Sequence, residues 1–389
     1  MFWLVNWGDT LLITIIIIMI IYLLVFSLVR GSPLKLKFEM SKYVPYLLFV
    51  ILILGCFLRI YKLGEKSLWI DDLNSLRDSQ SLSTAVMANH PPLFFIILHF
   101  FRYVGDNEFI LRLPAAIFGI LTILLIYKVG KLFFGTREAL ISAFLLSIST
   151  FHIDYSQQVR MYTVFSFFSV LSLFFLYKAL KEYRKEFWAG FTLSTALVLY
   201  IHIFAILVVF AEVILSVIFL INQILKREKE PSIKRNFFMF VLSYIIISLL
   251  YVPWVSPRFS SLVKVAQTGL GWSKFIEAPP QLSFYITLLS DFGAGGGIAL
   301  GIFLFFFLCG IIASVRDLEG ISLLLWISLP TASVTVMSIL LGPVIGTNSL
   351  RYLIFILPIY LLIISRGIVS FGKVAATQIV GLTKKPMRA

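Results

Sequence analysis

Long apolar runs, each near the ~20 residues an α-helix needs to cross the hydrocarbon core of a bilayer, recur along most of this 389-residue chain. Only helices and closed barrels satisfy every backbone polar group inside a membrane, and runs of this length select helices. With 60% apolar residues and a mean hydropathy of +0.98, the chain reads as an all-α polytopic membrane protein. The first run, residues 11–29, is too long for the apolar core of a signal peptide and lacks a small-residue cleavage site, so it reads as a retained anchor helix. Cys56 and Cys309 sit inside apolar runs, show no metal-ligand or redox spacing, and read as packing residues.

A formal charge of +14 invites a nucleic-acid reading, but the positive residues flank helices instead of forming one surface. Lys35, Lys37 and Lys42 follow the first run; Lys128, Lys131 and Arg137 make a second group; Lys178, Lys181, Arg184 and Lys185 a third. Lys226, Arg227, Lys229, Lys234 and Arg235 make a fourth, and Lys373, Lys384, Lys385 and Arg388 a tail. Basic loops that alternate in this way follow the positive-inside rule and face the cytoplasm and its anionic lipids. No nucleic acid is implied as a partner.

That orientation fixes the expected path. Residues 11–29 run inward and 44–60 outward. Residues 91–103 are apolar but well short of a span, and a crossing there would put the Lys128 group outside, so a helix in the outer interface is expected. Further crossings are expected over 109–127, 140–151, 163–177, 187–200, 203–221 and 237–252. Residues 253–297, with four prolines and a GAGGG run, read as a long external segment and a candidate lid or groove wall. Crossings over 298–315, 321–341 and 353–369 complete about eleven helices.

Against this apolar background the stretch Ser67 to Pro92 is a long polar interruption holding Asp71, Asp72, Asp78 and His90. Carboxylates this close to a bilayer are costly unless water, a cation or a partner reaches them, so they mark a candidate site; a solvated loop is the plainer alternative. The expected path places Asp71, Asp72, His90, Arg112, Asp154, Gln158, Arg160, His202 and Arg351 on the same, external side. A transporter would keep polar groups near the midplane on repeated, interrupted helices, and no convincing repeat is found. The pattern suits an enzyme whose site opens at the outer membrane face.

Six segments, in order, carry a resemblance. LWIDDLNS resembles an LWxDE signature, HPPLFFIILHF an HPPLYY segment, FILRLPAAIFG an ALRLPSALFG segment and FHIDYSQQVRMY a YSQEARMY segment; YIHIFA and LRYLIFILP match YTHYFA and RYLLPxLP. Together they are similar to the GT-C fold membrane glycosyltransferases, of the kind that includes protein O-mannosyltransferases and aminoarabinose lipid A transferases. The resemblance spans about residues 43–369 and divides the chain into three expected parts. These are 1–42, an extra anchor helix and basic cytoplasmic loop; 43–369, the GT-C transmembrane domain; and 370–389, a basic cytoplasmic tail.

The resemblance implies transfer of a sugar from a polyprenyl-phosphate donor to a lipid, glycan or protein acceptor at the extracytoplasmic face of the plasma membrane. No cofactor is required by it, and a divalent metal is left open. Asp71 is the expected general base and Asp72 the alternative, with a helix-capping role for Asp71 as the structural reading. Arg160, Arg351 and Arg112 are the expected phosphate ligands, because a guanidinium donates paired hydrogen bonds and keeps its charge; headgroup snorkelling is the competing role. Arg160 and Arg351 are each expected to begin a helix, whose positive end would favour a phosphate. Arg112 is also a candidate partner for the acids. His90, Trp69, Tyr155, Gln158, Tyr162, His202 and Tyr352 are expected substrate contacts. Two positions depart from the pattern: Asp72 stands where the signature has Glu, and Gln158 where the SQEAR segment has Glu, which removes a negative charge. Two rival functions remain, a lipid-linked-sugar flippase or other transporter and a non-catalytic lipid-sugar-binding relative.

Overall fold

The apolar runs become helices, some of them started by a polar side chain that caps the first turn. The computed structural model describes residues 33–182, 184–227, 230–259, 282–293, 295–341 and 347–383. The chain begins there with α1 (Pro33–Ile60), followed by three short helices: α2 (Ile70–Asp78), α3 (Leu82–Met87) and α4 (Leu93–Arg102). Next come α5 (Glu108–Phe133), the pair α6 (Thr136–Ile148) and α7 (Thr150–Ser156), then α8 (Tyr162–Glu182) and α9 (Lys185–Leu199). The second half holds α10 (Ala205–Leu225), α11 (Glu230–Val255), α12 (Leu282–Phe292), α13 (Ile298–Ser314), α14 (Leu318–Leu341) and α15 (Leu357–Thr383). Short 3-10 turns cover Ser256–Arg258 and Thr347–Ile356. Among the described residues there is no strand.

Local chemistry explains the boundaries. Asn107 starts α5 by accepting the Ile110 N–H at 3.0 Å, and Ser81 starts α3 by accepting from Thr84 N at 3.1 Å. Ser149 caps α7 by accepting from His152 N, and the chain turns by 59° there between α6 and α7. Pro92 immediately precedes α4, where a missing N–H costs least.

Seven helices are long and apolar enough to cross a bilayer, and the bent α6–α7 pair makes an eighth if taken as one span. This is an integral membrane protein. The run at 11–29 lies outside the described residues. The other ten expected crossings each coincide with a described helix, but α9 with 15 residues and α13 with 17 are shorter than the seven spans. The expected count of about eleven is therefore not reached by length alone. Residues 91–103 form only the ten-residue α4, as the interfacial reading requires.

Three expectations change. Residues 140–151 are not one straight crossing, because Ser149 withdraws from α6 and restarts the chain as α7. Residues 109–127 extend to Phe133, since apolar periodicity continues past Tyr127 across the lysines. The stretch 253–297 is not all loop: α11 runs through Pro253 to Val255, and LSFYITLLSDF folds as α12, its pattern masked in sequence by the flanking prolines and glycines. Residues 260–281 lie outside the described residues.

The bundle is most closely packed around its C-terminal helix. In the Leu350–Thr377 span, 83% of the most apolar window is buried by the rest of the chain, against 17% for the α1 and α11 spans, which present their apolar faces to lipid. α15 packs on α13 and α6, while α5 packs on α6 and α8. Gly310 and Gly367 permit the closest approach: a Cβ on either would collide with a backbone carbonyl, of Ile363 and of Phe306 respectively.

Candidate active site

The site begins with an inverted helix. On α2 and its cap the buried positions are Asp72, Ser75 and Ser79, spaced three and four apart on one face, whereas Trp69, Ile70 and Leu73 are exposed. A short helix with its polar face inward and apolar residues outward fits the membrane interface. Trp69 is exposed at the surface, while its backbone N–H reaches Asp72.

Asp71 and Asp72 are consecutive and do different things. Asp72 is buried, and its two carboxylate oxygens accept from two backbone donors: Oδ2 from Trp69 N at 3.0 Å and Oδ1 from Val159 N at 2.9 Å. The first bond satisfies the start of α2, so the capping role considered for Asp71 belongs to Asp72. The second ties α2 to the segment before α8. Asp71, about a hundred degrees further round the helix, is half-buried, and its Oδ2 lies 3.3 Å from Nη2 of Arg351.

Two guanidinium groups meet beside it. Arg160 is buried; Nη1 donates to the Asp71 carbonyl and to Ser75 Oγ, both at 3.1 Å, and Nη2 to Tyr162 Oη at 3.4 Å. Its described partners are thus a carbonyl and two hydroxyls, with no carboxylate among them. Arg160 and Arg351 also face the ring of Tyr162, at 5.5 and 5.8 Å from its centroid. The Nε of each arginine is buried without a hydrogen-bond partner. Arg160 precedes α8 by two residues, as expected, but Arg351 lies within the 3-10 turn Thr347–Ile356, ahead of the start of α15 at Leu357. The residues after Arg351 take the tighter turn first, so its expected place at a helix start is not found.

Aromatic rings wall this cluster. Tyr162 touches Tyr155, His202 and Tyr352 at centroid distances of 5.3, 6.1 and 6.1 Å. Tyr352 stacks on Phe204 at 5.2 Å, and His202 on Phe165 at 5.0 Å. His202 Nδ1 accepts from Phe204 N at 3.1 Å, which leaves the proton of the neutral ring on Nε2. Burial, then the charges of His90, Arg160 and Arg351, hold His202 well below the ordinary histidine range. Burial and the Arg160 charge also lower His90, with Asp78 and Asp71 acting the other way. Both rings are therefore neutral near pH 7. Gln158 is half-buried one residue before the Val159 N–H that Asp72 holds.

Arg112 is elsewhere. Its Nη1 donates to the Leu63 carbonyl at 2.7 Å, and its Nη2 to Lys66 and Ser67 carbonyls at 2.7 and 3.2 Å. Its side chain is spent on the loop that leads into α2, so it is brought neither to the acids nor to the other arginines. Two contributors escaped the sequence reading. Ser75 is polar like many loop residues, and only its three-residue offset from Asp72 hinted at a shared face. Gln157, beside the more conspicuous Gln158, donates to the Leu58, Arg59 and Tyr61 carbonyls. Among the described residues no three His, Cys, Asp or Glu side chains converge.

With this geometry in hand, comparison with solved structures is decisive for the architecture. The chain superposes on an oligosaccharyltransferase of Archaeoglobus fulgidus in the apo form with a TM-score of 0.58 over 88% of its residues, at 13% identity. It superposes equally widely, at 0.57 and 13% identity, on ArnT from Cupriavidus metallidurans, solved in the apo state and bound to undecaprenyl phosphate. The chain has the GT-C fold. The family model described as dolichyl-phosphate-mannose-protein mannosyltransferase matches residues 89–256, the part of this GT-C chain that runs from His90 to the end of α11. An uncharacterized protein of Aquifex aeolicus (strain VF5) is 28% identical over 166 residues, 39% of this chain and 33% of its own. The chain spans 52% of the Archaeoglobus structure and 63% of ArnT.

Proposed function

We propose that this protein transfers a sugar from a polyprenyl phosphate to an acceptor hydroxyl, at the extracytoplasmic face of the plasma membrane. One observation carries the reading: two arginines converge on Tyr162 beside the half-exposed carboxylate of Asp71, the one carboxylate in contact with either of them among the described residues. Two guanidinium groups beside one carboxylate leave a net positive charge that favours an anion, and a phosphate supplies both charge and acceptor oxygens. ArnT is solved with undecaprenyl phosphate, and an archaeal relative with dolichol-phosphate, which supports a lipid phosphate as the anion. The positive-inside alternation supports the outward placement.

In this reading the donor phosphate takes Arg351 from Asp71 and engages Arg160, while its polyprenyl tail stays in lipid. Asp71, freed from its ion pair, accepts the proton of the acceptor hydroxyl as that oxygen bonds to the anomeric carbon. The bond from that carbon to the phosphate oxygen breaks, and polyprenyl phosphate departs with the electron pair, held by the two guanidinium groups. Attack opposite the leaving group inverts the anomeric centre. Asp72 and Arg112 are positioning residues: one fixes α2 to Val159, the other fixes the loop before it. His202 offers its Nε2–H, and Tyr155, Tyr162 and Tyr352 offer ring faces to the sugar.

Purified protein incubated with radiolabelled polyprenyl-phosphate sugars and a membrane extract tests this. Transfer from at least one donor, lost in Asp71→Asn, is the expected result. Movement of intact lipid-linked sugar across proteoliposomes without transfer would favour the flippase reading instead.

A further inference from the structure

Arg59 was not singled out by any motif, yet it is completely buried at the end of α1 without a carboxylate among its described partners. A cation held inside a membrane protein without a counter-charge is costly, so its placement calls for a reason. Its Nη1 donates to Gly55 and Ser147 carbonyls, and its Nη2 to the Leu146 carbonyl and His152 Nδ1, all at 3.0 Å. Leu146 and Ser147 belong to the last turn of α6, where carbonyls lack helical partners and the helix dipole is negative. Arg59 therefore caps α6 at the 59° break.

The reverse contact comes from the other side of the break. Gln157, just after α7, donates its Nε2 to the Leu58, Arg59 and Tyr61 carbonyls at 3.1, 3.4 and 3.0 Å, which are the unpaired carbonyls at the end of α1. Each helix end is thus closed by a side chain from the other segment. Gly119 leaves the room: a Cβ there would crowd Ser156 Oγ and sit 3.2 Å from Arg59 Nε.

We infer that Arg59 and Gln157 form a reciprocal clamp that sets the register between Asp71 and Arg160, and that both are positioning residues for the transfer. The covalent paths make the case. From the clamp one strand of chain leads through the Arg112-held loop to α2 and Asp71; the other leads within three residues of Gln157 to Arg160. The Asp72 to Val159 bond closes the circuit. Opening the clamp leaves only contacts made at the site itself, the Asp72 to Val159 bond and the bonds of Arg160 to the Asp71 carbonyl and Ser75, to align the base with the phosphate cations, and misplacement by about 1 Å costs on the order of 10²-fold in rate. Because it acts through alignment, the clamp bears on turnover more than on donor affinity. The inference rests on the transfer reading for its kinetic consequence and on the geometry alone for its structural one.

The test uses Arg59→Met and, in case that variant does not fold, Gln157→Leu. In full-length protein kcat should fall about 10²-fold with donor KM within about threefold, and Arg59→Met added to Asp72→Asn should cost little more than Asp72→Asn alone. An activity-independent readout comes from Lys66→Cys with Asp154→Cys, in protein whose Cys56 and Cys309 are serine. These two side chains now lie 3.6 Å apart across the same two segments. Arg59→Met or Gln157→Leu should lower bismaleimide cross-linking of this pair at least about tenfold. Unchanged cross-linking, or losses from Arg59→Met and Asp72→Asn that simply multiply, would overturn the clamp. If native protein transfers no sugar while cross-linking still responds, the transfer reading fails and the clamp stands.

Discussion

The two ends of α8 lie about 30 Å apart along a helix of 21 residues and treat charge in opposite ways. At the far end Lys181 meets Glu319 at 2.5 Å, with Tyr177 Oη donating to the same carboxylate. Nearby, Arg366 holds Asp317 through both Nη atoms while lying over the Phe134 ring. Lys178 pairs with Glu182. At the Tyr162 end, Arg160 finds only a carbonyl and hydroxyls, and Arg351 shares a single carboxylate contact with Asp71. At the far end each cation is closed by its opposite and holds helices together; at the Tyr162 end two guanidinium groups share one carboxylate and keep a net positive charge beside it.

Several measurements can break or sharpen this contrast. The largest effect is expected from Asp71→Asn, which removes the proton acceptor without changing shape: turnover should fall about 10²- to 10⁴-fold, with donor still bound in a filter-binding assay. Near-normal turnover would move the role to another acid. Next, Arg160→Met should weaken donor binding about 30- to 160-fold, as expected for losing charge-assisted hydrogen bonds worth about 2 to 3 kcal/mol. Arg366→Met, at the paired end, should instead lower thermal stability by about 1 to 3 kcal/mol and leave donor affinity unchanged. If both variants lost affinity equally, the ends would not differ as argued.

A smaller effect is expected at Gln158, which stands where the SQEAR segment it resembles has Glu. Restoring a carboxylate two residues from Arg160 places a negative charge near the phosphate, worth on the order of 2 to 3 kcal/mol at ~6 Å and an effective dielectric of ~20 before screening. Gln158→Glu should therefore raise donor KM by roughly tenfold or less, or make activity respond to added Mg²⁺. Activity is expected to survive EDTA; its loss, with recovery on adding Mg²⁺ or Mn²⁺, would overturn that expectation and make His90 with Asp71 or Asp72 the first ligands to test.

The smallest effect is on stability. His202 titrates below its ordinary value when folded, so the unfolded chain binds the extra proton first. Its contribution to stability is complete above about pH 6.5 and declines as pH falls from there toward the folded value. Thermal unfolding should show this acid slope, and His202→Asn, which keeps an acceptor for Phe204 N without titrating, should flatten it. An identical slope in the variant would assign the loss to other groups.

Asp71 and Asp72 show how far the sequence can be read. Adjacent and alike in composition, they were both candidates for the base, and only their separate directions around α2 commit one to backbone amides and leave the other facing Arg351. Arg112 failed in the same way, since nothing in its own neighbourhood reveals that the Leu63 and Lys66 carbonyls await it. The motif FHIDYSQQVRMY pointed to the segment, but nothing in it showed that Gln157, and not only its neighbour Gln158, has a task, because the carbonyls that Gln157 meets lie at the end of α1. Helix α12 stayed hidden because eleven apolar-patterned residues between proline-rich and glycine-rich stretches are too few to register as a span.

Hydropathy is a local property, paid for residue by residue in the bilayer, so the sequence by itself determined that the chain spans a membrane as helices. Together with the alternation of basic loops it also gathered Asp71, Asp72, Arg160, His202 and Arg351 at one end. Satisfaction of charge is not local. Arg160 meets the Asp71 carbonyl across 89 positions, Arg59 meets Ser147 across 88, and Arg366 meets Asp317 across 49. Which of these cations would be closed by a carboxylate, which would be spent on helix ends and which would be brought beside Asp71 and Arg351 depended on helices packing side by side, and only the tertiary structure decided it.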